Sequence, residues 1–443
     1  VLAAYFDSAA ALLMSSLVVQ SLDQQGRGVA RRDGKAVFIE GALPGERVTC
    51  ATRRSKPAYE VAELEQIERE SALRVAARCP YFGVCGGCSL QHLEPHAQVA
   101  VKQRVLEDAL WHIGRVRPRQ VLAAIHGPQW GYRHRARLAV RYVPKKGGAL
   151  VGFHERRSSY VADMEDCPVL PPRIAALLRP LRELVNALSI RHRLPQIEVA
   201  VGEAAEVLVL RLLAPPSESD AARLREFAEK HRVHLYLQPR GPESAQPFHP
   251  PRPAELYYTL PEFDLKIGFA PTDFTQVNHA VNRVLVRRAL ALLDPRPGER
   301  IADLFCGLGN FTLAIARCGA TVVGVEGSPE LVRRAGCNAE QNGLAARASF
   351  VEMDLYRHAP DFAVLGRFDR IVLDPPRDGA VQVVKALGAG APARIVYVSC
   401  SPATLARDAA VLVHAMGYTL EAAGIVNMFP HTSHVESLAV FDK

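Results

Sequence analysis

Two hydrophobic rhythms divide the chain. Across residues 17–64, short apolar runs centred on Val18-Val19, Gly28-Val29-Ala30, Val37-Phe38-Ile39, Val48-Thr49 and Val61-Ala62 are punctuated by Gly26, Gly34, Gly41 and Pro44-Gly45. Five short strands separated by turn formers predict a small barrel of the oligonucleotide-binding kind. From residue 301 the rhythm becomes strand, helix, strand. Strands are predicted at 301–305, 321–325, 348–352, 368–373, 395–399, 418–426 and 437–441. Helices are predicted at 311–317 and 329–342, from Val381 and after Pro402. That alternation predicts a doubly wound α/β layout with a largely parallel sheet.

The stretch between is mixed. Residues 91–113 read as a helix with Val101, Val105, Leu106 and Leu110 on one face. Residues 132–142 alternate apolar positions with Arg133, Arg135, Arg137 and Arg141, a strand pattern whose basic face suits either RNA or solvent. Helices at 174–188 and 221–231, strands at 197–201, 207–213 and 233–237, and a proline-rich loop at 239–253 follow. Phe274-Thr275-Gln276-Val277-Asn278 then leads into a helix ending near Leu293.

A length of 443 residues suggests two or three domains. The pattern divides it into a leader at 1–13, a barrel at 14–70, a central α+β domain at 71–268 and an α/β domain at 269–443. The leader holds Asp7 and no basic residue, a poor secretory signal; it reads as a disordered or extraneous segment ahead of a natural start at Met14. The net charge of +8 favours a polyanionic partner. Arg27, Arg31, Arg32, Lys35, Arg53, Arg54 and Lys56 concentrate that charge on the barrel, which points to nucleic acid. No apolar run approaches the roughly 20 residues of a membrane span. Nine cysteines in a chain this long suggest cytosolic thiols or metal ligands rather than a disulfide framework. The whole reads as a cytoplasmic monomer.

Cys79, Cys85 and Cys88 lie on one loop opened by Gly83, Gly86 and Gly87, and Cys167 offers a fourth sulfur. The spacing suits an iron–sulfur cluster or tetrahedral zinc and does not separate them. Radical chemistry on S-adenosylmethionine needs an iron that no cysteine ligates, and Cys167 would close that position. In the α/β domain, Gly307 and Gly309 permit a tight turn after the first strand, and Glu326 ends the second, where an acidic residue suits a ribose. Asp374-Pro375-Pro376-Arg377 and Ser399-Cys400-Ser401-Pro402 fall at the carboxyl ends of later strands, where such sheets bind ligands. Cys400, where strand gives way to helix, reads as a nucleophile with a pKa lowered by the helix N-terminus.

The runs 303–313, 374–377, 399–408 and 428–436 resemble those of the RNA uracil-C5 methyltransferases. Gly26-Arg27-Gly28-Val29-Ala30 and the run 37–46 resemble a TRAM domain, which implies RNA binding. TRAM domain and four-cysteine set together are similar to the branch of the family that methylates 23S ribosomal RNA. The resemblance implies a Rossmann-like class I methyltransferase domain. It implies S-adenosylmethionine against Gln276, Phe305, Asn310, Glu326, Asp354 and Asp374, with Cys400 as nucleophile and Glu436 as base. It implies a 4Fe–4S cluster on Cys79, Cys85, Cys88 and Cys167. Two rival readings share much of the pattern: a non-catalytic RNA-binding iron–sulfur assembly factor, and an amino-group methyltransferase built on Asp374-Pro375-Pro376 that needs no cysteine.

Overall fold

The computed structural model describes residues 16–356, 362–388 and 391–443; the leader and Met14 lie outside the described residues. The chain forms two compact units. One runs to Val105 and takes in His431–His434; the other comprises Leu106–Pro430 and Val435–Lys443. Among the described residues no helix is long and apolar enough to cross a membrane.

The first unit holds the barrel. Strands Gly28–Arg32, Lys35–Glu40, Arg47–Ser55 and Tyr59–Arg69 form its wall. The segment predicted as the first strand is split in two. Leu17–Val18 pairs with Arg47–Ser55, and Ser21–Leu22 pairs with Gly28–Arg32. One bent segment thus bonds to both ends of the sheet and closes it, which removes the exposed edges. Inward-facing Leu17, Val19, Ala30, Val37, Ile39, Ala42, Val48 and Ala62 fill the core.

Beside that core sits a fully buried carboxylate, Glu46. It accepts the Leu43 N–H at 2.8 Å and both the Nε and a terminal nitrogen of Arg74, at 2.5 and 2.9 Å. Burial alone would push its pKa up. The bonds from Arg74 and from the Leu43 and Ser71 backbone outweigh burial and hold it below 4.5.

The second unit holds two larger sheets. A six-stranded sheet runs in the order Gln246–His249, His234–Gln238, Glu206–Arg211, Gln196–Val201, Arg135–Val143, Gly148–Gly152. In the other, Ala348–Glu352, Thr321–Glu326, Arg300–Leu304, Arg370–Leu373 and Arg394–Ser399 are parallel neighbours in that order. Antiparallel Glu436–Asp442, then Thr419–Val426 and the two-residue strand Gln120–Val121, extend it to eight. The doubly wound α/β expectation holds.

Proline explains two local differences from the sequence reading. The helix predicted at 174–188 is broken into Pro172–Ala175 and Leu178–Ala187. Pro180 has no N–H to give to the carbonyl one turn earlier, so the helix restarts rather than continues. The predicted loop at 239–253 contains the strand Gln246–His249, which carries Pro247. It lies at the edge of its sheet, where a missing N–H costs no ladder bond. The hairpin Tyr257–Leu260 with Leu265–Gly268 and the strand Gly148–Gly152 lie outside the predicted runs.

Replacing Arg74 by Met leaves the Glu46 charge buried without its partner and is expected to destabilise the first unit by about 3 kcal/mol, read as a lowered denaturant midpoint. In the wild type the pair's contribution is fully present above pH 4.5 and fades as pH falls through the lower folded value. An Arg74→Met midpoint equal to wild type at pH 7 contradicts this account.

Candidate active site

Sheet register assembles the site. Leu304 is opposite both Val325 and Leu373, and Leu373 is opposite Tyr397. Phe305, Glu326 and Asp374 therefore leave their strands at one level, the carboxyl end. Glu326 is opposite Glu352, and the chain from Glu352 turns back beneath it to Asp354, whose Cα is 3.7 Å from the position of a Cβ on Gly327. Ser399 pairs with Ser437 in the antiparallel step of the sheet. Continuing that register by one position sets Cys400 across from Glu436, a spacing at which side chains meet.

The glycine turn is built as the sequence predicts. Phe305 has φ 68°, Gly307 φ 53° and Gly309 φ 87°. A left-handed phenylalanine is uncommon and marks a backbone held under constraint at a site. The Phe305 and Cys306 N–H groups both donate to the Val325 carbonyl, at 2.9 and 3.0 Å. A Cβ on Gly307 would meet nothing within 4 Å, so open space adjoins the turn. Glu326 closes it from the side. Its carboxylate accepts the N–H groups of Gly307, Gly327 and Ser328 at 3.1, 2.8 and 3.0 Å. The Phe305 ring stands 5.6 Å from that of Tyr356, and Asp354 accepts the Tyr356 N–H at 3.0 Å.

Asn310 is held more tightly than its sequence context indicates. Its amide pairs reciprocally with Asn282, at 2.9 and 3.0 Å, and its oxygen also accepts the Tyr258 hydroxyl at 2.9 Å. Tyr258 and Asn282 went unnoticed in the sequence because neither lies in a chemically distinctive run. Gln276 is half-buried in the loop before Asn278, which caps helix His279–Leu293. Among the described residues its side chain makes no hydrogen bond to the other site residues.

Burial dominates the electrostatics. Asp303 is fully buried, accepts the Thr312 hydroxyl at 2.5 Å, and is pushed up to about 6 by desolvation. Desolvation, then the charges of Glu436 and Asp303, push Asp374 well above its ordinary value. Cys400 departs from its expected behaviour. The helix cap is Ser401, whose hydroxyl accepts the Thr404 N–H, so Cys400 stands outside the helix. Desolvation and the carboxyls of Glu436 and Asp374 push its thiol up to about 11, against the pull of Arg377. The helix terminus does not offset two carboxyls in a dry site.

The cysteine loop belongs to the first unit. Cys79 and Cys85 are buried and Cys88 is half-buried. Successive turns wind the loop: the Phe82 N–H donates to Cys79 O at 3.1 Å and the Cys85 N–H to Tyr81 O at 2.9 Å. The Gly87 N–H points at the Cys85 sulfur, at 3.4 Å. Cys167, in the second unit, is buried. Among the described residues, no group of three or more His, Cys, Asp or Glu side chains stands ready to hold a metal ion.

A family model described as tRNA (uracil-5-)-methyltransferase matches residues 97–443, and a TRAM domain model matches residues 17–64. The chain belongs to the uracil-5 RNA methyltransferase family. It is 62% identical over 97% of its length to the whole of a 23S rRNA (uracil(1939)-C(5))-methyltransferase RlmD from Aromatoleum aromaticum. It is 63% identical over 97% of its length to the whole of a protein of the same name from an Azoarcus species. Its fold is similar to that of a Pyrococcus abyssi tRNA (uracil-54, C5)-methyltransferase, with a TM-score of 0.74 and 24% identity over 96% of this chain and 99% of that one. A class I methyltransferase fold preceded by a TRAM β domain is thus established for this family member. The sequence-level resemblance to the uracil-C5 methyltransferases holds over nearly the whole chain.

The raised Cys400 pKa sets its reactivity. Alkylation of Cys400 by iodoacetamide, followed by peptide mass analysis, should accelerate about tenfold per pH unit from pH 7 and level off only near 11. Glu436→Gln removes the charge that raises the thiol most and should move that midpoint down. A wild-type midpoint at or below 8.5, the ordinary thiol value, contradicts the electrostatics described.

Proposed function

We propose that this chain transfers a methyl group from S-adenosylmethionine to C5 of uridine 1939 in 23S ribosomal RNA, giving 5-methyluridine. The observation that carries the reading is the register that sets Cys400 opposite Glu436 at the end of the sheet where the glycine turn opens. The target uridine is carried over from the relatives' names. The residues around the turn suit the methyl donor. Gly307 leaves space, Glu326 lies at the second strand's end, and Phe305, Asp354 and Asn310 adjoin them. S-adenosylmethionine supplies an electrophilic methyl group there.

The residues of the chain divide the remaining work. Uracil C5 is a poor nucleophile, so the Cys400 sulfur gives its proton to solvent and bonds to C6, and the ring's π electrons move to C5 and O4. C5 then takes the methyl group. Glu436 removes the C5 proton, the C5–C6 double bond re-forms and the Cys400 thiolate leaves. Asp374, at the end of its strand beside the glycine turn, can hydrogen-bond the uracil edge. The base must leave its stack to enter the site. On the barrel, Arg27, Arg32 and Arg53 pair with Asp23, Glu60 and Glu63, whereas Arg31, Arg54 and Lys56 are exposed and make no ion pair among the described residues. These unpaired cations suit RNA phosphates, which position without reading sequence.

The same reading assigns Cys79, Cys85, Cys88 and Cys167 to a 4Fe–4S cluster. Burial of three of them and the N–H aimed at the Cys85 sulfur support it, since such hydrogen bonds accompany cluster sulfurs. A cluster held by residues this far apart in sequence has a structural role, because metal-binding energy then becomes folding energy. The purified protein should be brown and contain iron; a colourless protein with one zinc per chain overturns the assignment.

Wild-type protein should move label from S-adenosylmethionine to protein-free 23S RNA, at uridine 1939. Glu436→Gln should bond to RNA and methylate it but fail to release it. The product is a methyl-labelled protein–RNA adduct that survives denaturing electrophoresis. Cys400→Ala should give neither product nor adduct. Normal turnover in Glu436→Gln, or methyl transfer by Cys400→Ala, refutes the mechanism.

A further inference from the structure

The loop from Asp374 to Ala380 and the helix Pro402–Ala410 come from different crossovers of the sheet, yet they are bonded along their length. Asp408, on that helix, is fully buried. One of its oxygens accepts both the Ala380 N–H and the Tyr397 hydroxyl, each at 2.7 Å. The other accepts the Arg407 Nε at 2.8 Å. Arg407 in turn donates to the Asp378 carbonyl at 2.7 Å, and the Thr404 hydroxyl donates to the Arg377 carbonyl at 3.0 Å. Gly379 has φ 76°, and a Cβ there would stand 2.7 Å from both the Asp408 carboxylate and the Arg407 guanidinium. Backbone and helix are pressed together with no room for a side chain between.

We propose that Asp408 is a positioning residue: with Arg407 and Thr404 it clamps the Asp374–Arg377 loop to the helix that begins just after Cys400. The nucleophile, Asp374 and Arg377 then keep one geometry. The inference rests on the reading of Cys400 as the nucleophile. Its physical core is that a buried carboxylate with every oxygen committed has one arrangement, and a loop bonded to it through backbone groups inherits that arrangement. Four charged or titratable groups face Cys400: Glu436, Asp374 and Tyr356, together with Arg377. Among these Arg377 alone favours the thiolate, and the clamp holds the Arg377 backbone in place.

The test uses the full chain carrying Asp408→Asn, which keeps size but puts an NH2 where one oxygen accepted, and Thr404→Val, which removes the hydroxyl that reaches the Arg377 and Ser401 carbonyls and leaves the Asp408 bonds in place. Two quantities are read: the pH midpoint of Cys400 alkylation by iodoacetamide without RNA or methyl donor, and kcat for methyl transfer to 23S RNA. Asp408→Asn should raise the midpoint by roughly half a unit, about threefold in thiolate at a fixed pH below it, as Arg377 drifts away. Its kcat should fall by about tenfold or more while KM for RNA stays within about twofold. Thr404→Val should change both in the same direction and by less, and it decides the matter if Asp408→Asn does not fold. Unchanged midpoints overturn the clamp, including the case in which kcat alone falls. Wild-type protein unable to methylate RNA would overturn the functional reading, while the alkylation comparison would still decide the clamp.

Discussion

The antiparallel pairing of Arg394–Ser399 with Glu436–Asp442 is the constraint on which the reacting end of the molecule depends. A parallel sheet delivers every strand's carboxyl end to the same edge, but it cannot bring there a residue that precedes a strand. One reversed strand does. Its first residue, Glu436, lies at the edge where the neighbouring strand has its last, so two residues 36 apart in sequence become cross-strand neighbours. A slip of one position would send Glu436 to the other face of the sheet. The buried residues of both strands, including Val396, Val398, Leu438 and Val440, make that slip costly.

That geometry concentrates acidic groups where water is scarce. Glu436 and Asp303 lie close enough to raise Asp374, and the burial that raises Asp303 and Asp374 also raises Cys400. The consequence is that Cys400 is held as a thiol. Its sulfur is protected from adventitious alkylation and oxidation, which act on thiolates, and its reactivity depends on the groups around it. Arg377 pulls the other way, and the loop that carries it is bonded to the helix beyond Cys400. Electrostatics and loop packing are therefore one problem at this site.

Local structure was legible wherever a residue acts through its own backbone. The turn at Gly307 and Gly309, the strand ending in Glu326 and the helix opened by Pro402 all follow from residue type, and they appear where the pattern puts them. Pro180 and Pro247 show the limit of that legibility. Each acted as proline must, yet one broke a helix that periodicity had drawn as continuous and the other joined a strand that its neighbours disguised as loop. The cause lies in context: an edge position forgives a missing N–H, and a helix interior does not.

The sequence by itself determined the alternation of strand and helix, the short strands of a basic barrel, and the residue types that uracil chemistry requires, because each is a matter of local pattern or of functional-group identity. Tertiary structure alone decided the rest. It set Cys400 against Glu436, moved the thiol pKa upward instead of downward, committed Asn310 to Asn282 and Tyr258, and bound the Asp374 loop to Asp408. These are long-range effects. A pKa depends on how much water and how many charges surround a group, and a hydrogen bond depends on which distant donor arrives, and neither quantity exists until the chain has packed.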